Sequence, residues 1–293
     1  MFQTPILFLI FNRPDVTFKV FEQIKKIKPK YLYVAADGPR AGKANEEELC
    51  MATRAVVDKV DWDCELKTFF REENVGCARN VSSAISWFFE QEESGIILED
   101  DCLPDVSFFH FCDTLLHRYQ DHDRVMAISG YNVQLEIRRT SDTYFFAEIP
   151  LVWGWATWKK AWQQFQFNVP HIDDAVFDNA AKKPWKQDIE NAFSGKTDSW
   201  AYRWIYAFLK NKYICIYPEI SLVKNIGVSD MATHTLGSRW WYKFVKYGKI
   251  TTMKHPASVA INHQADMLNT NLHYNLPLSL SDKLKRKWYS FFR

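Results

Sequence analysis

The first 130 residues alternate continuous apolar runs with segments whose apolar residues recur at helical spacing. The runs predict strands at residues 6–11, 31–36, 66–70, 95–98 and 125–129. The helical spacing predicts helices at residues 16–27, 46–60, 78–89 and 106–119. An unbroken apolar run such as 6–11 is expected of a strand covered on both faces. The alternation therefore predicts an α/β fold with a mostly parallel central sheet flanked by helices.

Beyond residue 130 the pattern becomes less regular. Two apolar runs, at 144–146 and 213–217, predict strands, and residues 200–209 predict a helix. No repeat or low-complexity linker interrupts the chain. We therefore expect a single domain over about 1–275, with a first lobe at about 1–130, a second lobe at about 131–275, and a separate C-terminal segment at 276–293.

The charge balance restricts the class of partner. The chain of 293 residues carries 37 Lys and Arg against 35 Asp and Glu, a formal charge of +2. This gives no global field of the kind that nucleic-acid binders carry, so a small-molecule or neutral partner is favoured. The 12 tryptophans admit two interpretations, a well-filled core or aromatic walls around ligands such as sugars, and core packing is favoured for most of them.

The cysteines and the apolar segments indicate a cytoplasmic protein. The six cysteines lie far apart, with no paired CxxC spacing for zinc or a redox dithiol, so we expect reduced thiols. The N-terminal MFQTPILFLIFNRP has too short an apolar run for a signal sequence and no basic residue before it. No stretch approaches the roughly 20 apolar residues that span a bilayer. We therefore expect a soluble protein, or one peripheral on the inner membrane face.

The C-terminal residues 281–293, SDKLKRKWYSFFR, combine five basic residues with large apolar and aromatic ones. Two interpretations are open. The segment can lie on an anionic membrane surface, or it can form a basic helix that docks its aromatic residues on the body of the protein.

The stretch IILEDDCLP places three consecutive carboxylates, Glu99, Asp100 and Asp101, at the predicted carboxyl end of a strand. Carboxylates held together repel one another unless a cation or a proton lies among them. Hard oxygen ligands suit Mg²⁺ or Mn²⁺, whose remaining ligands are often phosphate oxygens. The triplet thus predicts a metal site for a phosphate-bearing substrate. Alternatively, it is an acidic region at the start of the helix opened by Pro104 and Asp105.

The segment IILEDDCLPDVSFFHFCDTLL resembles the metal-binding region of GT-A-fold, nucleotide-sugar-dependent glycosyltransferases. The resemblance is to the N-acetylglucosaminyltransferase I group and related bacterial sugar transferases, in which an EDD triplet replaces the commoner DxD motif. It implies that Asp101 ligates Mn²⁺ on the nucleotide-sugar diphosphate. It also implies that Asp100 lies near the ribose and that Glu99 supports the site.

Three further motifs of the first half match this family in order. FNRPDVTF resembles the turn whose arginine reaches the nucleotide, which implies Arg13. AADGPR resembles the place where an aspartate binds the base, which implies Asp37. NVGCARNV resembles the loop lining the base pocket, which implies Asn80. From the residues alone, Arg13 can equally be a surface residue, and Asp37-Gly38-Pro39 an ordinary turn.

The second half resembles the acceptor side of the same transferases, through VWGWATWKKAW, DSWAYRW, YPEISLVKNIGVSD and THT. The tryptophans around Gly154 would line the donor sugar or the acceptor, and Trp155 is expected nearest the site. A packed helix face in the core is the alternative for Trp153, Trp158 and Trp162.

Inverting transfer needs a base for the acceptor hydroxyl, and the resemblance implies an aspartate beside a tryptophan. The chain departs from that pattern, because Ala201 follows Trp200 where Trp-Asp is expected. Asp198 is the best substitute and the predicted catalytic residue. Asp198 can also cap the following helix, and Glu219 and Asp230 are rival candidates.

Two more site residues follow from the resemblance. NIGVSD resembles a loop that closes over the diphosphate, which makes Ser229 a predicted phosphate contact. His234 is predicted to complete the metal shell, although a lone histidine is also often structural, and His255 is equally ambiguous.

The function implied is a metal-dependent, inverting glycosyltransferase that uses Mn²⁺ or Mg²⁺ and a nucleotide-diphosphate sugar, with UDP-sugars favoured. The acceptor would be a bacterial surface glycan or its lipid-linked precursor. Two alternatives stay open. A nucleotidyltransferase shares the sheet and metal logic but commonly has a Gly-rich loop after its first strand, and FNRPDVTF has no glycine. A non-catalytic sugar- or protein-binding module would fit the missing Trp-Asp pair.

Overall fold

The computed structural model describes residues 1–227 and 240–284. Its strands are β1 Ile6–Ile10, β2 Tyr31–Ala36, β3 Glu65–Phe70, β4 Ser94–Glu99, β5 Cys102–Pro104, β6 Val125–Ser129, β7 Tyr144–Ala147, β8 Trp155–Trp158, β9 Ile214–Pro218 and β10 Val223–Asn225. Its α-helices are α1 Pro14–Ile27, α2 Glu46–Arg54, α3 Cys77–Gln91, α4 Val106–Arg118, α5 Lys159–Trp162, α6 Trp185–Phe193, α7 Trp200–Lys210 and α8 His263–His273. Short 3₁₀ helices cover Ala55–Lys59, Asp174–Phe177 and Tyr242–Phe244.

Eight of these strands form one sheet in the order β3-β2-β1-β4-β8-β6-β9-β7. β3, β2, β1 and β4 pair in parallel, and β6 pairs in parallel with β9. β8 and the edge strand β7 run antiparallel to their neighbours. Because all the other strands of the sheet run in one direction, the predicted α/β class with a mostly parallel sheet flanked by helices is confirmed.

The sheet is covered on both faces, which explains the unbroken apolar runs. Side chains alternate across β1, so that Phe8 packs with α1 and α4 on one face while Leu7 and Leu9 pack with α3 and α7 on the other. All five residues of β1 are buried. A strand buried on both faces needs apolar residues throughout, and the sequence has them.

The tryptophan-rich segment at residues 152–162 does not form the packed helix face that was one interpretation of its sequence. Residues 155–158 form β8, an antiparallel strand between β4 and β6, and only Lys159–Trp162 is helical. The predicted core position of Trp158 and Trp162 is confirmed, since each is 5% exposed. A short run of tryptophans gives a similar sequence pattern in a fully buried strand and in a buried helix. Only the pairing with neighbouring strands distinguishes the two structures.

The sheet draws strands from both predicted lobes, because β8 of the second half lies between β4 and β6 of the first. The division into lobes at about residue 130 stays a prediction. All six cysteines lie in the described part of the chain and are free thiols, as expected. None of the described helices is both long and apolar enough to cross a membrane.

Candidate functional site

The carboxyl ends of β1, β2 and β4 lie side by side at one edge of the sheet. In the parallel register, Ile10 pairs with Ala36 and Leu9 pairs with Glu99. The residues that follow these strands therefore emerge together. This edge is where ligands bind in open α/β sheets.

Arg13, just after β1, forms an ion pair with both aspartates that follow β4. Its Nη2 donates to Asp100 and to Asp101 Oδ2, the latter at 3.1 Å, and its Nε lies 3.3 Å from Asp100 Oδ2. Burial lowers the pKa of Arg13, but the two carboxylates outweigh it and raise the pKa above its ordinary value. Arg13 therefore stays cationic and neutralises part of the acidic cluster.

The acidic cluster favours the uptake of a proton or a cation. Burial raises the pKa of Glu99, and its neighbours Asp101 and Asp100 raise it further. Burial also raises the pKa of Asp100, against the lowering effect of Arg13. Three carboxylates thus face one guanidinium, which is the situation that a divalent cation relieves.

Carboxylate oxygens are ligands that suit Mg²⁺ or Mn²⁺. Metal binding by the triplet stays a prediction, because the convergent group of metal-ligating side chains in the described residues is Glu148, His263 and Asp266. The Asp101 side chain is 18% exposed, and its Oδ1 contacts only the Cys102 thiol, at 3.6 Å, among the described residues. The helix-start alternative for the triplet is wrong. Asp105 caps α4 by accepting from the Ser107 N–H, and β5 separates the triplet from that helix.

Asp37, just after β2, is buried and binds the loop that precedes α3. Its carboxylate accepts N–H groups from Gly38 and Val75, each at 3.0 Å, and from Gly76 at 3.2 Å. Burial raises the pKa of Asp37, while these N–H groups lower it in part. The residue is more than an ordinary turn, since it fixes the position of a loop 38 residues away in sequence. Its contact with a base stays a prediction.

Asp198 reaches the same place from the segment before α7. Its carboxylate accepts the N–H groups of Cys77 at 2.7 Å and Ala78 at 2.9 Å, in the first turn of α3. Asp198 thus caps a helix, as the capping interpretation expected, but the helix is α3 and not the following helix α7. α7 begins after Ser199 and receives no side-chain cap. Asp198 therefore joins the site through a contact 121 residues distant in sequence.

Cys77 is a site residue that the sequence reasoning missed. It keeps an exposed surface at the start of α3. The pKa of its thiol is raised to about 12, first because the surrounding protein desolvates the thiolate and then because nearby carboxylates repel it. Those carboxylates belong to Glu99, Asp198, Asp37 and Asp100. The first half and the second half of the predicted site thus converge on one thiol.

Asn80 lies one turn further along α3. It is 6% exposed, and its side-chain oxygen has no hydrogen-bond partner among the described residues. A buried amide oxygen without a partner is costly. Contact with a nucleotide stays a prediction.

The predicted closing loop starts beside the acidic cluster. β10 pairs with β5, with Asn225 opposite Cys102, and the Ile226 N–H donates to the Asp101 carbonyl at 2.8 Å. A Cβ on Gly227 would lie 2.3 Å from Asp101 Oδ2 and 2.8 Å from Arg13 Nη1. Only glycine therefore fits at this close approach. Ser229, Asp230 and His234 lie outside the described residues.

The tryptophans divide between core and site. Trp155 is 1% exposed and stacks on Trp200 at 5.7 Å, so its buried ring offers no face to a sugar in this structure. Trp153 is half-buried and stacks on Tyr242 at 5.8 Å. Between them, Gly154 packs so closely on Val223 and Leu98 that a Cβ would clash. Trp153 is the partly exposed tryptophan of this group, and the sugar or acceptor contact expected of Trp155 stays a prediction.

The other candidates have separate partners. Glu219 forms an ion pair with Arg138 at 2.8 Å. His255 accepts or donates a hydrogen bond with the Tyr144 hydroxyl at 3.0 Å. Neither contacts the acidic cluster in the described structure.

A brace holds the loop after β2 against the turn after β1. Buried Glu46, at the start of α2, accepts from Asn12 Nδ2 at 2.9 Å and from the Arg40 backbone N–H at 2.7 Å, and it pairs with the Arg40 guanidinium. The hydrogen bonds from Arg40 lower the pKa of Glu46 from 4.5 to about 2. Asn12 precedes Arg13, so this brace positions the arginine.

We expect Glu46→Gln to lower the free energy of unfolding by about 2 kcal/mol at neutral pH, the scale of a charge-assisted hydrogen bond. Because the folded pKa is depressed, the stabilisation is present above pH 4.5 and is lost as the pH falls towards 2. Urea unfolding between pH 3 and 7 should therefore show a difference between wild type and variant that shrinks with acid. Glu47→Gln, at the exposed neighbouring position, is the control; a constant difference across this range would contradict the pKa argument.

No protein-family model matches the chain, and no curated protein matches it significantly. Solved structures with a related course of the chain include apo UDP-glucose pyrophosphorylase, 7% identical with a TM-score of 0.40, over 73% of this chain and 90% of that one. Another is HddC from Yersinia pseudotuberculosis, 8% identical with a TM-score of 0.34, over 58% and 81% of the two chains. A third is 4-diphosphocytidyl-2C-methyl-D-erythritol synthase from Anaerococcus prevotii DSM 20548, 11% identical with a TM-score of 0.33, over 60% and 85%. At these values the likeness carries no argument, so function is argued from the chain's own residues.

Proposed function

We propose that the chain is a metal-dependent glycosyltransferase that takes a sugar from a nucleotide-diphosphate sugar and transfers it to a glycan or glycolipid acceptor with inversion. A UDP-sugar is the favoured donor. One observation carries the proposal: residues predicted from separate motifs meet at one edge of the sheet. They are Arg13, Asp37, Glu99, Asp100, Asp101 and Asp198.

The donor side has the groups that a nucleoside diphosphate needs. Asp101, with Asp100 and Glu99 beside it, would hold Mn²⁺ or Mg²⁺, which when bound neutralises negative charge on a leaving diphosphate. Arg13 adds a permanent positive charge at the same place. Asn80 and the loop held by Asp37 are the proposed contacts for the nucleoside.

The acceptor side depends on Asp198 and Trp153. A carboxylate has about four lone-pair positions, and the two N–H groups of α3 occupy one on each oxygen of Asp198. The remaining lone pairs can accept the proton of an acceptor hydroxyl as it attacks the sugar carbon. Trp153 supplies an aromatic face of the kind that packs against sugar rings.

A non-catalytic binding module is the second candidate, because the carboxylate of Asp198 already has structural partners. The turn after β1 disfavours a nucleotidyltransferase. Its sequence, FNRPDV, contains Arg13 but none of the glycines that commonly let a loop bind a triphosphate. The two alternatives predict different results with nucleotides and sugars.

The proposal predicts metal-dependent binding of one nucleoside diphosphate. Calorimetric titration of UDP, GDP and CMP, with and without Mn²⁺, should show UDP binding at least about tenfold tighter with the ion, because the cation offsets the charge of both the diphosphate and the carboxylates. Release of UDP from UDP-sugars in the presence of glycan acceptors then tests transfer. Binding of none of the nucleotides would favour the non-catalytic module. Pyrophosphate release from a nucleoside triphosphate and a sugar phosphate would favour the nucleotidyltransferase.

A further inference from the structure

The described end of the chain presents a row of leucines to solvent. Residues 280–284 are helical, and Leu280 and Leu284, one helical turn apart, are 78% and 68% exposed. Leu276, four residues earlier, is 42% exposed. Leu276 lies before this helical turn. Single exposed leucines are ordinary on protein surfaces, but Leu280 and Leu284 are spaced as neighbours on one helix face.

The opposite side of the same turn is fixed to the protein body. Asp282 is 2% exposed and pairs with Arg139 at 2.8 Å. Its carboxylate accepts a hydrogen bond from the Ser279 hydroxyl, and its backbone N–H donates to the same hydroxyl oxygen. Asp282 lies about 200° around the helix from Leu280. The buried ion pair therefore directs Leu280 and Leu284 outward. The aromatic residues of the docking-helix interpretation lie outside the described residues, so that interpretation stays a prediction.

The charge of the segment selects the surface that such a face fits. Residues 281–293 contain the basic residues Lys283, Lys285, Arg286, Lys287 and Arg293. The one acid, Asp282, is already paired with Arg139. In the sequence, Trp288 and Phe292 continue the interval of four from Leu280 and Leu284. Basic residues interleaved with large apolar ones are complementary to anionic headgroups over acyl chains.

We propose that the segment beginning at Leu280 docks on an anionic lipid bilayer, with Leu280 and Leu284 entering the interface and Lys283 contacting headgroups. A second copy of the chain is disfavoured as the occupant, because like charges on the two segments would repel. The proposal goes beyond the proposed function and needs no nucleotide or metal.

The docking segment connects to the acceptor side of the candidate site. Leu278 packs on a buried cluster that contains Tyr131 and Leu268, and Trp153 packs on the same cluster. If the proposed function holds, a bilayer bound here supports a lipid-linked acceptor rather than a free glycan.

Vesicle co-sedimentation of the full chain tests the docking. We expect binding to vesicles of phosphatidylcholine mixed with phosphatidylglycerol to exceed binding to phosphatidylcholine alone by about tenfold or more, and to weaken as salt is raised. Leu280→Gln with Leu284→Gln should reduce partitioning by about tenfold or more, since the apolar contacts are lost. The matched control is Leu49→Gln with Met51→Gln, at exposed positions on α2.

Equal binding to neutral and anionic vesicles, or unchanged binding of the Leu280 and Leu284 variant, would overturn the proposal. A concentration-dependent dimer in sedimentation velocity that this variant abolishes would replace it with self-association. Nucleotide titration without vesicles is measured on the same samples. Failure of lipid binding with intact nucleotide binding would therefore reject the docking alone, and the reverse would reject the proposed donor site alone.

Discussion

Replacing Asp101 with alanine is expected to reduce Mn²⁺-dependent nucleotide binding by about a hundredfold or more, since changes even to residues behind a metal ligand cost ten- to hundredfold in affinity. Asp101 is partly exposed and pairs with Arg13 through Oδ2, while its Oδ1 accepts only from the Cys102 thiol among the described residues. Its loss removes a ligand and one unit of the charge that attracts the ion. Calorimetry with and without Mn²⁺ measures both effects.

The fold should survive this substitution, because Arg13 keeps its pair with Asp100. Thermal unfolding of the Asp101→Ala protein without metal checks this. Asp61→Ala removes an exposed, ion-paired aspartate elsewhere and should leave nucleotide binding unchanged. If Asp101→Ala keeps the full metal dependence of the wild type, the ion is held by other residues and the assignment of Asp101 is wrong.

Replacing Asp198 with asparagine is expected to lower kcat by about 10²- to 10⁴-fold, the usual contribution of a general base. Nucleotide affinity should change little, because the proposed contacts with the donor come from residues other than Asp198. The loss of one N–H contact to α3 should also lower stability by about 1 kcal/mol, as for other helix caps. Steady-state kinetics and urea unfolding of the same protein separate the two roles.

Asp173→Ala is the control for the cap, because asparagine would keep the single N–H contact of Asp173. Asp173 accepts the Ala175 N–H at 2.9 Å at the start of a 3₁₀ helix, as Asp198 does for α3. It should lose comparable stability without a comparable loss of kcat. A kcat for Asp198→Asn no lower than that of the control would show that Asp198 only positions α3, and would move the search for the base to Glu219 and Asp230.

The resemblance to sugar transferases named residues from separate motifs that lie close together in the structure, while their roles stay predictions. Arg13 and the triplet were placed together because each follows a parallel strand, and such strands end at one edge. Cys77 was overlooked because a cysteine in NVGCARNV has no feature of its own. Its importance comes from four carboxylates contributed by distant segments. Trp155 was chosen over Trp153 because both flank Gly154 in a tryptophan-rich run, and the sequence does not show which ring β8 buries.

The sequence by itself determined the α/β architecture. Apolar runs in β1, β2, β4 and β6 and helical spacing in α1, α3 and α4 are local patterns, and burial on both faces of a sheet dictates them directly. It did not determine the pairing of β5 with β10 or the insertion of β8 between β4 and β6. Such contacts depend on loop closure and packing across the whole chain, which no local pattern records.

The same distinction explains the candidate site. Carboxylates after a buried strand predicted a cation from sequence alone, because repulsion between them needs compensation. Only the tertiary structure showed that Arg13 already supplies part of that compensation and that Gly227 closes over the pair. It also showed that Asp198 binds the first turn of α3 instead of its own helix. The Arg13–Asp101 and Asp198–Cys77 contacts join residues 88 and 121 positions apart, so the fold and not the local sequence decides them.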